Sequence, residues 1–464
     1  APENFLAYED FDGNFKTDGV SDNRIKSWSP HLGDWTSADP TWRGDKGKAI
    51  IGAINYLASE GMNAFSFLTM NIGGDDKNVF PYLNYNNNSA PQDDRRRFDC
   101  SRLDQWGIVF DHGTSRGMYL HFKTQETENE LLLDGGAVGV ERKLYYRELI
   151  ARYAHNLALN WNLGEENNNQ STQQRKNMAQ YFYDHDPYHH NIVIHNGASP
   201  SDLLGSASKL TGFSLQTNRS DFANVHGSVL NWVQNSAAAG VPWVVACDEP
   251  GDASHALVPD ADNPGHNNAR INGLWGTFMA QGAGNEWYFG YQHDESDLTC
   301  EDWRSRDLWW DQCRYALEFF GQVPFWLMQN DDNLVTSGQD HYGMKSETGP
   351  DYYYVIFLKN GDQNSDVVVN VQDGEYEIAW FDPRSGGNLQ HGTTNWVSAA
   401  GSANIGQAPY DHNSDWAVYL TTDDTLSVTL TSFTAEQRGD SVLVRWTSES
   451  EADHLGYNVY RRIG

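Results

Sequence analysis

Short apolar runs alternate with longer amphipathic segments over the first 320 residues of the chain. Seven of these runs have the length and composition of buried strands: 63–70, 117–122, 157–163, 191–197, 212–217, 242–249 and 286–292. Four intervening segments carry apolar residues at helical spacing, and the last two end at a glycine, as helices often do: 48–61, 145–155, 224–240 and 269–282. Strands that alternate with helices predict a parallel sheet with crossover helices.

The alternation predicts an α/β fold of the (β/α)8 TIM barrel type over residues 1–320. A closed barrel needs eight strands, and the helix at 48–61 precedes the first of the seven runs. We therefore expect strand one at or upstream of residue 1, with the N-terminal part of the barrel missing from this chain. An open, doubly wound sheet is the alternative arrangement for the same alternation.

The pattern changes near Gln322. From 321 to 422, short alternating runs separated by turn residues predict a C-terminal antiparallel β-sandwich domain. From 423 to 464, the pattern resembles the first strands of a partial fibronectin III-like module. A half-module leaves unpaired strand edges, so we expect it either to pack on its neighbour or to continue beyond the chain.

The composition of the chain limits the classes of molecule that we expect it to bind. The net charge of −31 opposes binding to nucleic acid or to an anionic membrane surface, and no apolar run is long enough to insert into a membrane. Aromatic residues make up 13% of the chain, and such rings suit the C–H faces of sugars as well as a large core. The four cysteines follow no metal-binding pattern, and Cys300 and Cys313 either form a disulfide or remain buried thiols.

Glutamates follow two of the predicted strands, at the edge where a barrel builds its active site. Glu165 and Glu166 follow the third run after a glycine, and Glu249 ends the sixth run before a Pro-Gly pair. Adjacent carboxylates repel, so one needs a raised pKa or a cationic partner, and a raised pKa suits a general acid near neutral pH. Each position alone also has a structural explanation: a solvated acidic loop for the first, and a helix N-cap at Asp248 for the second.

Taken together, the two positions fall at the ends of strands four and seven, with the missing strand counted as the first. Facing carboxylates there flank a glycosidic bond, where one protonates the leaving oxygen and the other attacks the anomeric carbon. This layout resembles the clan A glycoside hydrolases, which are retaining (β/α)8 enzymes. The resemblance implies Glu166 as the acid/base and Glu249 as the nucleophile. Because position 165 carries Glu where that clan usually has Asn, Glu165 is the alternative acid/base.

Other residues near strand ends are candidates for binding the sugar, each with a structural hydrogen-bonding role as the alternative. These substrate-binding candidates are Glu165, His195, Asn196, Gln216, Trp287, Tyr291, Asn71 and Lys123. The clan resemblance singles out Trp287 as a sugar platform. The chain shows no metal-ligand spacing, no glycine-rich phosphate loop and no serine-hydrolase elbow, so we expect neither a metal nor a cofactor.

Two further stretches resemble parts of bacterial polysaccharide-degrading proteins: the opening of the chain, and residues 352–387, which are similar to the small β-domain named collagen-binding. We therefore expect a secreted, cell-surface or periplasmic enzyme of a marine or saline bacterium. Its expected activity is retaining cleavage of a β-linked polysaccharide, with an algal galactan of the agar or carrageenan type as the favoured substrate. The alternatives are a non-catalytic glycan-binding or adhesion protein, and an inverting or transferring enzyme of the same fold.

Overall fold

The computed structural model of the protein describes residues 27–71, 80–82, 95–195, 199–422, 430–438 and 441–448. The chain divides into two compact units, one ending at Glu318 and one beginning at Phe319. A parallel sheet lies in the first unit, and antiparallel sheets lie in the second.

Six parallel strands pair in chain order to form the sheet of the first unit: β1 (Ala64–Leu68), β2 (Tyr119–Lys123), β3 (Leu159–Asn162), β4 (Asn191–His195), β5 (Gly212–Gln216) and β6 (Val244–Glu249). The α-helices of the described residues are α1 (Lys48–Ser59), α2 (Cys100–Ser115), α3 (Val140–Tyr153), α4 (Thr172–His185), α5 (Val225–Ala238), α6 (Gly276–Met279) and α7 (Asp307–Phe320). The helix predicted over 269–282 is instead a π-helical segment, Ala269–Trp275, followed by the short α6.

The α/β prediction is confirmed, in the form of a parallel half-barrel of the TIM type with helices around it. The seventh predicted strand, 286–292, is less regular than the other six. It meets β6 through a parallel bridge between Cys247 and Asn285 and through the Glu286 amide, which donates to the Cys247 carbonyl at 3.1 Å. Closure into a complete eight-stranded barrel stays a prediction.

Aromatic side chains fill the space between the outer face of this sheet and the helices. Phe67 stacks on Phe110 of α2 with ring centroids 4.1 Å apart, and Trp161 stacks on Phe182 of α4 at 5.1 Å. The Trp161 indole also donates to Asp186 Oδ2 at 3.0 Å, just beyond α4. Because successive strand residues point to opposite faces, this packing directs their neighbours to the inner face.

The inner face of the sheet carries an unusually large number of polar side chains for a buried surface. Barrels of this type usually fill the interior with branched apolar side chains. Here the inward positions include polar side chains that are less than 10% exposed: Ser66, His121, Lys123, Asn160, Asn162 and Ser214. Buried polar groups are costly unless they are paired, so this face must contain an internal hydrogen-bonding network.

The second unit contains strands β7 (Gln329–Asn330), β8 (His341–Ser346), β9 (Tyr353–Leu358), β10 (Val367–Asn370), β11 (Gly374–Phe381), β12 (Trp396–Ala399), β13 (Ser402–Gly406), β14 (Trp416–Thr421), β15 (Leu430–Arg438) and β16 (Ser441–Ser448). Six of them form one sheet in the order β12-β11-β14-β9-β8-β7, whereas β10 pairs with β13 and β15 pairs with β16. Ile356, Trp380 and Val418 of the large sheet share one buried core with Val367 and Ile405 of the β10–β13 pair. The predicted antiparallel domain is thus confirmed, and the collagen-binding and fibronectin III-like identities stay predictions.

The structure also bears on two further expectations, a disulfide between Cys300 and Cys313 and the absence of a membrane-spanning segment. Cys300 and Cys313 are not joined by a disulfide; both are buried, and Cys300 Sγ lies 3.7 Å from the carbonyl oxygen of Asp302. No helix within the described ranges is both long and apolar enough to cross a membrane.

Candidate active site

A bulge near the end of β6 turns two consecutive acidic side chains toward the inner face of the sheet. The register shifts there, so that Gln216 of β5 pairs with Glu249 and Asp248 is the extra residue. In a regular strand, neighbouring side chains point to opposite faces. Here Asp248 Oδ2 lies 3.7 Å from His121 Nε2, and Glu249 Oε2 lies 3.4 Å from His195 Nε2, both on the inner face. Bulges often re-aim side chains in this way beside active sites.

A tight turn after β3 presents the other two glutamates. Gly164 adopts φ +140°, and a Cβ there would lie 2.7 Å from Cγ of Gln125, so the turn needs glycine at this position. The Glu165 amide then donates to the Gln125 carbonyl at 3.0 Å. Glu166 follows in the left-handed conformation at φ 45°, and its carbonyl accepts from the Thr127 hydroxyl at 2.9 Å. A strained backbone held by such contacts is typical of functional turns.

Glu166 and Glu249 share two neighbours, Gln216 and His195. Gln216 Nε2 donates to Glu166 Oε1 at 3.2 Å, and the Gln216 side chain also hydrogen-bonds the Glu249 carboxylate. His195 Nδ1 accepts from the Glu166 amide at 3.2 Å, while its Nε2 faces Glu249. The ends of β3, β4, β5 and β6 therefore bring the two glutamates together. Gln216 contacts both carboxylates, whereas His195 contacts the backbone of Glu166 and the carboxylate of Glu249.

Beneath this pair, five buried charged side chains contact one another in a row and form what we call the buried chain: Glu165, Lys123, Glu286, His121 and Asp248. The Lys123 ammonium forms an ion pair with Glu165 and lies 2.7 Å from Oε1 of Glu286. The other oxygen of Glu286 contacts Nδ1 of His121, whose Nε2 faces Asp248. All five side chains are at most 8% exposed. The chain links the turn after β3 to the bulge in β6 through β2.

The environment shifts the ionisation of both central groups. Burial raises the pKa of Glu249 well above its usual range, and the neighbouring Glu165 charge raises it further, whereas Gln216 and Lys123 act in the opposite direction. Burial lowers the pKa of His195 to about 4, so its imidazole is neutral near pH 7. Because His195 Nδ1 accepts from the Glu166 amide, the ring proton of the neutral form is on Nε2 and is directed at Glu249.

The buried network also sets the ionisation of its own acidic and basic members. Burial opposes the ionisation of Glu286. The neighbouring Lys123 and His121 outweigh this effect and hold the pKa of Glu286 below its usual range. Burial likewise acts against the charged form of His121, but Glu286 and Asp248 raise its pKa. The pKa of Asp248 is raised, chiefly by burial, while His121 lowers it. Opposite charges therefore compensate much of the cost of burying this chain.

His121, Asp248 and Glu286 bring donor atoms within 4.8 Å of one another, a separation that a metal ion tolerates. Their donor atoms, however, already contact each other, and the Lys123 ammonium beside Glu286 supplies positive charge that a divalent ion would otherwise provide. Bringing a dication next to that ammonium would add repulsion. We assign the cluster as a charge-balanced protein network rather than as a metal centre.

The structure brings six of the ten predicted site residues together: Glu165, Glu166, His195, Gln216, Glu249 and Lys123. Of these, Glu165, His195 and Lys123 are at most 4% exposed and contact the other site residues. They therefore support the site from below, instead of offering an open face to a ligand as their prediction as substrate-binding residues requires. Gln216 and the two paired glutamates remain partly accessible.

Trp287, Tyr291 and Asn71 do not join this cluster. The expectation of a platform at Trp287 is corrected, because its ring is 1% exposed and packs edge-on against Trp309 with centroids 4.5 Å apart. Tyr291 is half exposed, and its amide donates to the Ser254 carbonyl at 3.2 Å. Asn71 is buried just beyond β1, and position 196 lies outside the described residues.

Three members of the buried chain were missed by sequence reasoning. Glu286 opens the seventh run instead of ending one, and Asp248 was considered only as a helix N-cap. His121 lies within β2, two residues before Lys123. The signal that identifies His121 is its period: strand residues two apart share a face, so His121 and Lys123 must both point inward.

A cavity of about 400 Å³ opens at the opposite, amino-terminal ends of the strands. Its wall includes Ala64, Tyr119, Asn191 and Val244, which lie at or near the starts of their strands. The cavity also reaches His121, Asp248 and Glu286 of the buried chain, but none of Glu165, Glu166 and Glu249 lines it. Active sites on this fold lie at the carboxyl ends of the strands. We therefore assign the candidate site to the glutamate cluster and not to this cavity.

No family model matches the chain, and no curated protein matches it in sequence. Its fold is similar to that of a glycoside hydrolase family 5 protein from Bacteroides vulgatus, with a TM-score of 0.59 and 14% identity over 85% of this chain and 89% of that one. It is also similar to a second solved structure, a glycoside hydrolase, with a TM-score of 0.57 and 13% identity over 81% and 89% of the two chains. At these identities the likeness establishes the fold, a TIM-like parallel half-barrel followed by an antiparallel β-domain.

Proposed function

We propose that the protein is a secreted glycoside hydrolase that cleaves β-linkages of a polysaccharide with two glutamates and retention of configuration. The observation that carries the proposal is the position of Glu166 and Glu249 at the carboxyl ends of two strands, joined by Gln216 and His195. Binding alone does not require two carboxylates held around one point. The fold shared with glycoside hydrolases supports this assignment by analogy.

Of the two adjacent glutamates, Glu166 is the better acid/base. Glu165 is 4% exposed and forms an ion pair with Lys123, so its carboxylate is engaged and turned away from solvent. Glu166 is partly exposed and accepts one hydrogen bond from Gln216. A group that gives a proton to a leaving oxygen and later takes one from water must reach both. The accessible carboxylate meets that need.

In the proposed reaction, Glu249 attacks the anomeric carbon while Glu166 transfers its proton to the leaving glycosidic oxygen. The glycosyl-enzyme ester forms as the C–O bond to the leaving sugar breaks. Glu166, now ionised, takes a proton from water, and the resulting hydroxide attacks the anomeric carbon and releases Glu249 as a carboxylate. Burial opposes the ionised form of Glu249 that both steps require, whereas the hydrogen bond from Gln216 and the charge of Lys123 favour it.

We propose an algal galactan of the agar or carrageenan type as the substrate, and a secreted, cell-surface or periplasmic location in a marine or saline bacterium. The net charge of −31 supports this setting, because salt screens the self-repulsion of so acidic a surface. The high share of Trp and Tyr is compatible with sugar binding. It is equally compatible with a non-catalytic glycan-binding protein, which is the second candidate.

The test is release of reducing ends from a panel of agar, carrageenan and plant polysaccharides. The wild type is compared with Glu166→Gln and Glu249→Gln, and with Glu128→Gln as a control at an exposed position. We expect cleavage of one polymer by the wild type and the control, and a loss of at least about 10³-fold in both site variants. If all four proteins bind a polymer and none cuts it, the hydrolase proposal fails and the glycan-binding candidate replaces it.

The stereochemistry and the two roles have their own readouts. Proton NMR of the first product distinguishes retention from inversion at the anomeric carbon. Added azide should restore activity of Glu249→Ala on an aryl glycoside and give an azide product of inverted configuration. The same azide with Glu166→Ala should give the retained azide, because the glycosyl-enzyme still forms when the leaving group needs no proton. Exchange of these two outcomes would reverse the assigned roles.

A further inference from the structure

Lys123 lies fully buried at the centre of the charges beneath the glutamate pair. Its ammonium contacts Glu165 on one side and Glu286, at 2.7 Å, on the other. A lysine side chain is normally solvated, and burying its charge is costly unless anions surround it. The two carboxylates supply that compensation. In return, the single positive charge of the ammonium offsets part of the negative charge of the two buried carboxylates.

The charges around Glu249 come from several elements. Glu165 and Glu166 face it from the turn after β3, and His195 faces it from β4. Within the buried chain, Asp248 and Glu286 add negative charge, whereas Lys123 and His121 add positive charge. Negative groups thus outnumber positive ones around this point among the described residues. His195 does not change the balance near pH 7, because burial keeps it neutral.

We propose that Lys123 is a positioning residue whose ammonium pairs with Glu165, contacts Glu286 and thereby favours the ionised form of Glu249 as the nucleophile. Glu165 and Lys123 then act as one neutral pair at the base of the site. Without the ammonium, the repulsion between the Glu165 and Glu249 carboxylates would favour the protonated form of Glu249 still further. The role of Glu249 in this statement rests on the proposed function.

The direct measurement is the titration of Glu249 itself, followed by NMR of protein labelled with carbon-13 in the glutamate side-chain carboxyl. The Glu249 signal is identified by its absence from Glu249→Gln. The compared proteins are the wild type, Lys123→Met, Glu165→Gln and the double variant, with Lys143→Met as an exposed control. No substrate is needed, so the measurement does not depend on identifying the polymer.

The proposal predicts a specific order of midpoints. Relative to the wild type, Lys123→Met moves the Glu249 titration up by about one pH unit or more, because a cation is removed from its surroundings. Glu165→Gln moves it down, because a neighbouring anion is removed. The double variant removes one charge of each sign and returns the midpoint close to the wild-type value. The Lys143→Met control leaves the midpoint unchanged.

A purely structural role would lower the melting temperature of Lys123→Met without moving the Glu249 midpoint, and that result would overturn the proposal. If Lys123→Met does not fold, the same substitution is read in the Glu165→Gln background, where the buried pair is replaced by two neutral side chains. The midpoint must still rise relative to Glu165→Gln alone, and an unchanged midpoint there also overturns the proposal.

The outcome is separable from that of the proposed function. If the midpoints follow the predicted order and no polymer is cut, the charge role of Lys123 stands and the hydrolase assignment fails. If a polymer is cut and the midpoints do not move, the assignment stands and the role of Lys123 fails. In an active enzyme, the acidic limb of the kcat/KM profile should shift with the same sign as the NMR midpoint.

Discussion

The Nε2 atom of His195 lies 3.4 Å from Oε2 of Glu249, across the ends of β4 and β6. The opposite ring nitrogen accepts the Glu166 amide proton, so the neutral ring carries its proton on the side that faces Glu249. One buried imidazole therefore accepts a hydrogen bond from the backbone of one glutamate and faces the carboxylate of the other. This double contact makes His195 a positioning residue for both.

Replacing His195 with alanine should impair catalysis more than stability alone explains. Glu249 loses the ring nitrogen that faces it at 3.4 Å, and the Glu166 amide loses its acceptor. Removing one hydrogen-bond donor from an active site typically lowers kcat about 10²- to 10³-fold, and we expect a loss of that order on the polymer that the wild type cleaves in the panel assay. His155→Ala, at an exposed position, is the control and should retain activity. Unchanged kcat in folded His195→Ala would contradict the role.

The lowered pKa of His195 also predicts a pH dependence of stability. In the unfolded chain the imidazole takes up a proton below about pH 6.5, whereas in the folded protein it does so only near pH 4. The unfolded state therefore binds more protons between these values, and the free energy of unfolding falls as the pH falls from about 6.5 to 4. The expected loss from this group is about 3 kcal/mol.

Urea unfolding at intervals from pH 7 to pH 4 measures that loss. The free energy of unfolding should change less steeply with pH in His195→Ala, because position 195 then has no imidazole to titrate. We expect this smaller slope even though the variant is less stable at pH 7. The exposed His155→Ala should keep the wild-type slope. Equal slopes in the wild type and His195→Ala would show that His195 is not the group responsible.

Much of the fold follows from hydrophobic periodicity, but the site follows only in part. The six strands were predictable because each is a short apolar run, with outward residues such as Phe122 and Trp161 packing under the helices. Glu166 and Glu249 were predictable because they end such runs. The bulge that turns both Asp248 and Glu249 inward has no signature in the alternation, since two adjacent inward residues contradict the period of a strand.

The buried charges were the least predictable feature. Glu165 was recognised as a departure from the usual pattern, but nothing local to it indicates how its charge is compensated. The compensating Lys123 lies on another strand, and Glu286 lies far along the chain. Contacts between distant residues depend on strand order and register, and a single sequence does not specify either. The platform expected at Trp287 failed for a related reason, because its face of the segment packs against Trp309.

We expect a second pH dependence of stability from Glu130, with a different origin from that of His195. Its side chain is fully buried, and Asn169 donates a backbone hydrogen bond of 2.6 Å to Oε2. Burial raises its pKa to about 7, against about 4.5 for an unperturbed glutamate. Because the folded protein holds this proton more tightly, the contribution is fully favourable below about pH 4.5 and is lost as the pH rises through 7.

Glu130→Gln should remove this dependence, because glutamine is neutral and its carbonyl still accepts the Asn169 amide. Above pH 7 the variant should be more stable than the wild type, by up to about 3 kcal/mol. Chemical unfolding at pH 5 and pH 8 provides the comparison, with Glu128→Gln as the exposed neighbour. A variant less stable than the wild type at pH 8 would indicate that the ionised carboxylate is needed by Arg142 and Arg175 nearby.

Gly164→Ala should separate backbone strain from the placement of the glutamates. Gly164 has φ +140°, and a Cβ would meet Gln125 at 2.7 Å, whereas Gly240 has φ +88° with nothing within 4 Å of its Cβ position. Both substitutions impose an unfavourable conformation, which costs about 1–3 kcal/mol. Only Gly164→Ala also pushes against Gln125, whose carbonyl anchors the Glu165 amide. Gly240→Ala should therefore lose stability and keep its activity per folded molecule, while Gly164→Ala should lose both. Equal activity of the two folded variants would mean that the turn tolerates the shift and that the position of Glu166 does not depend on it.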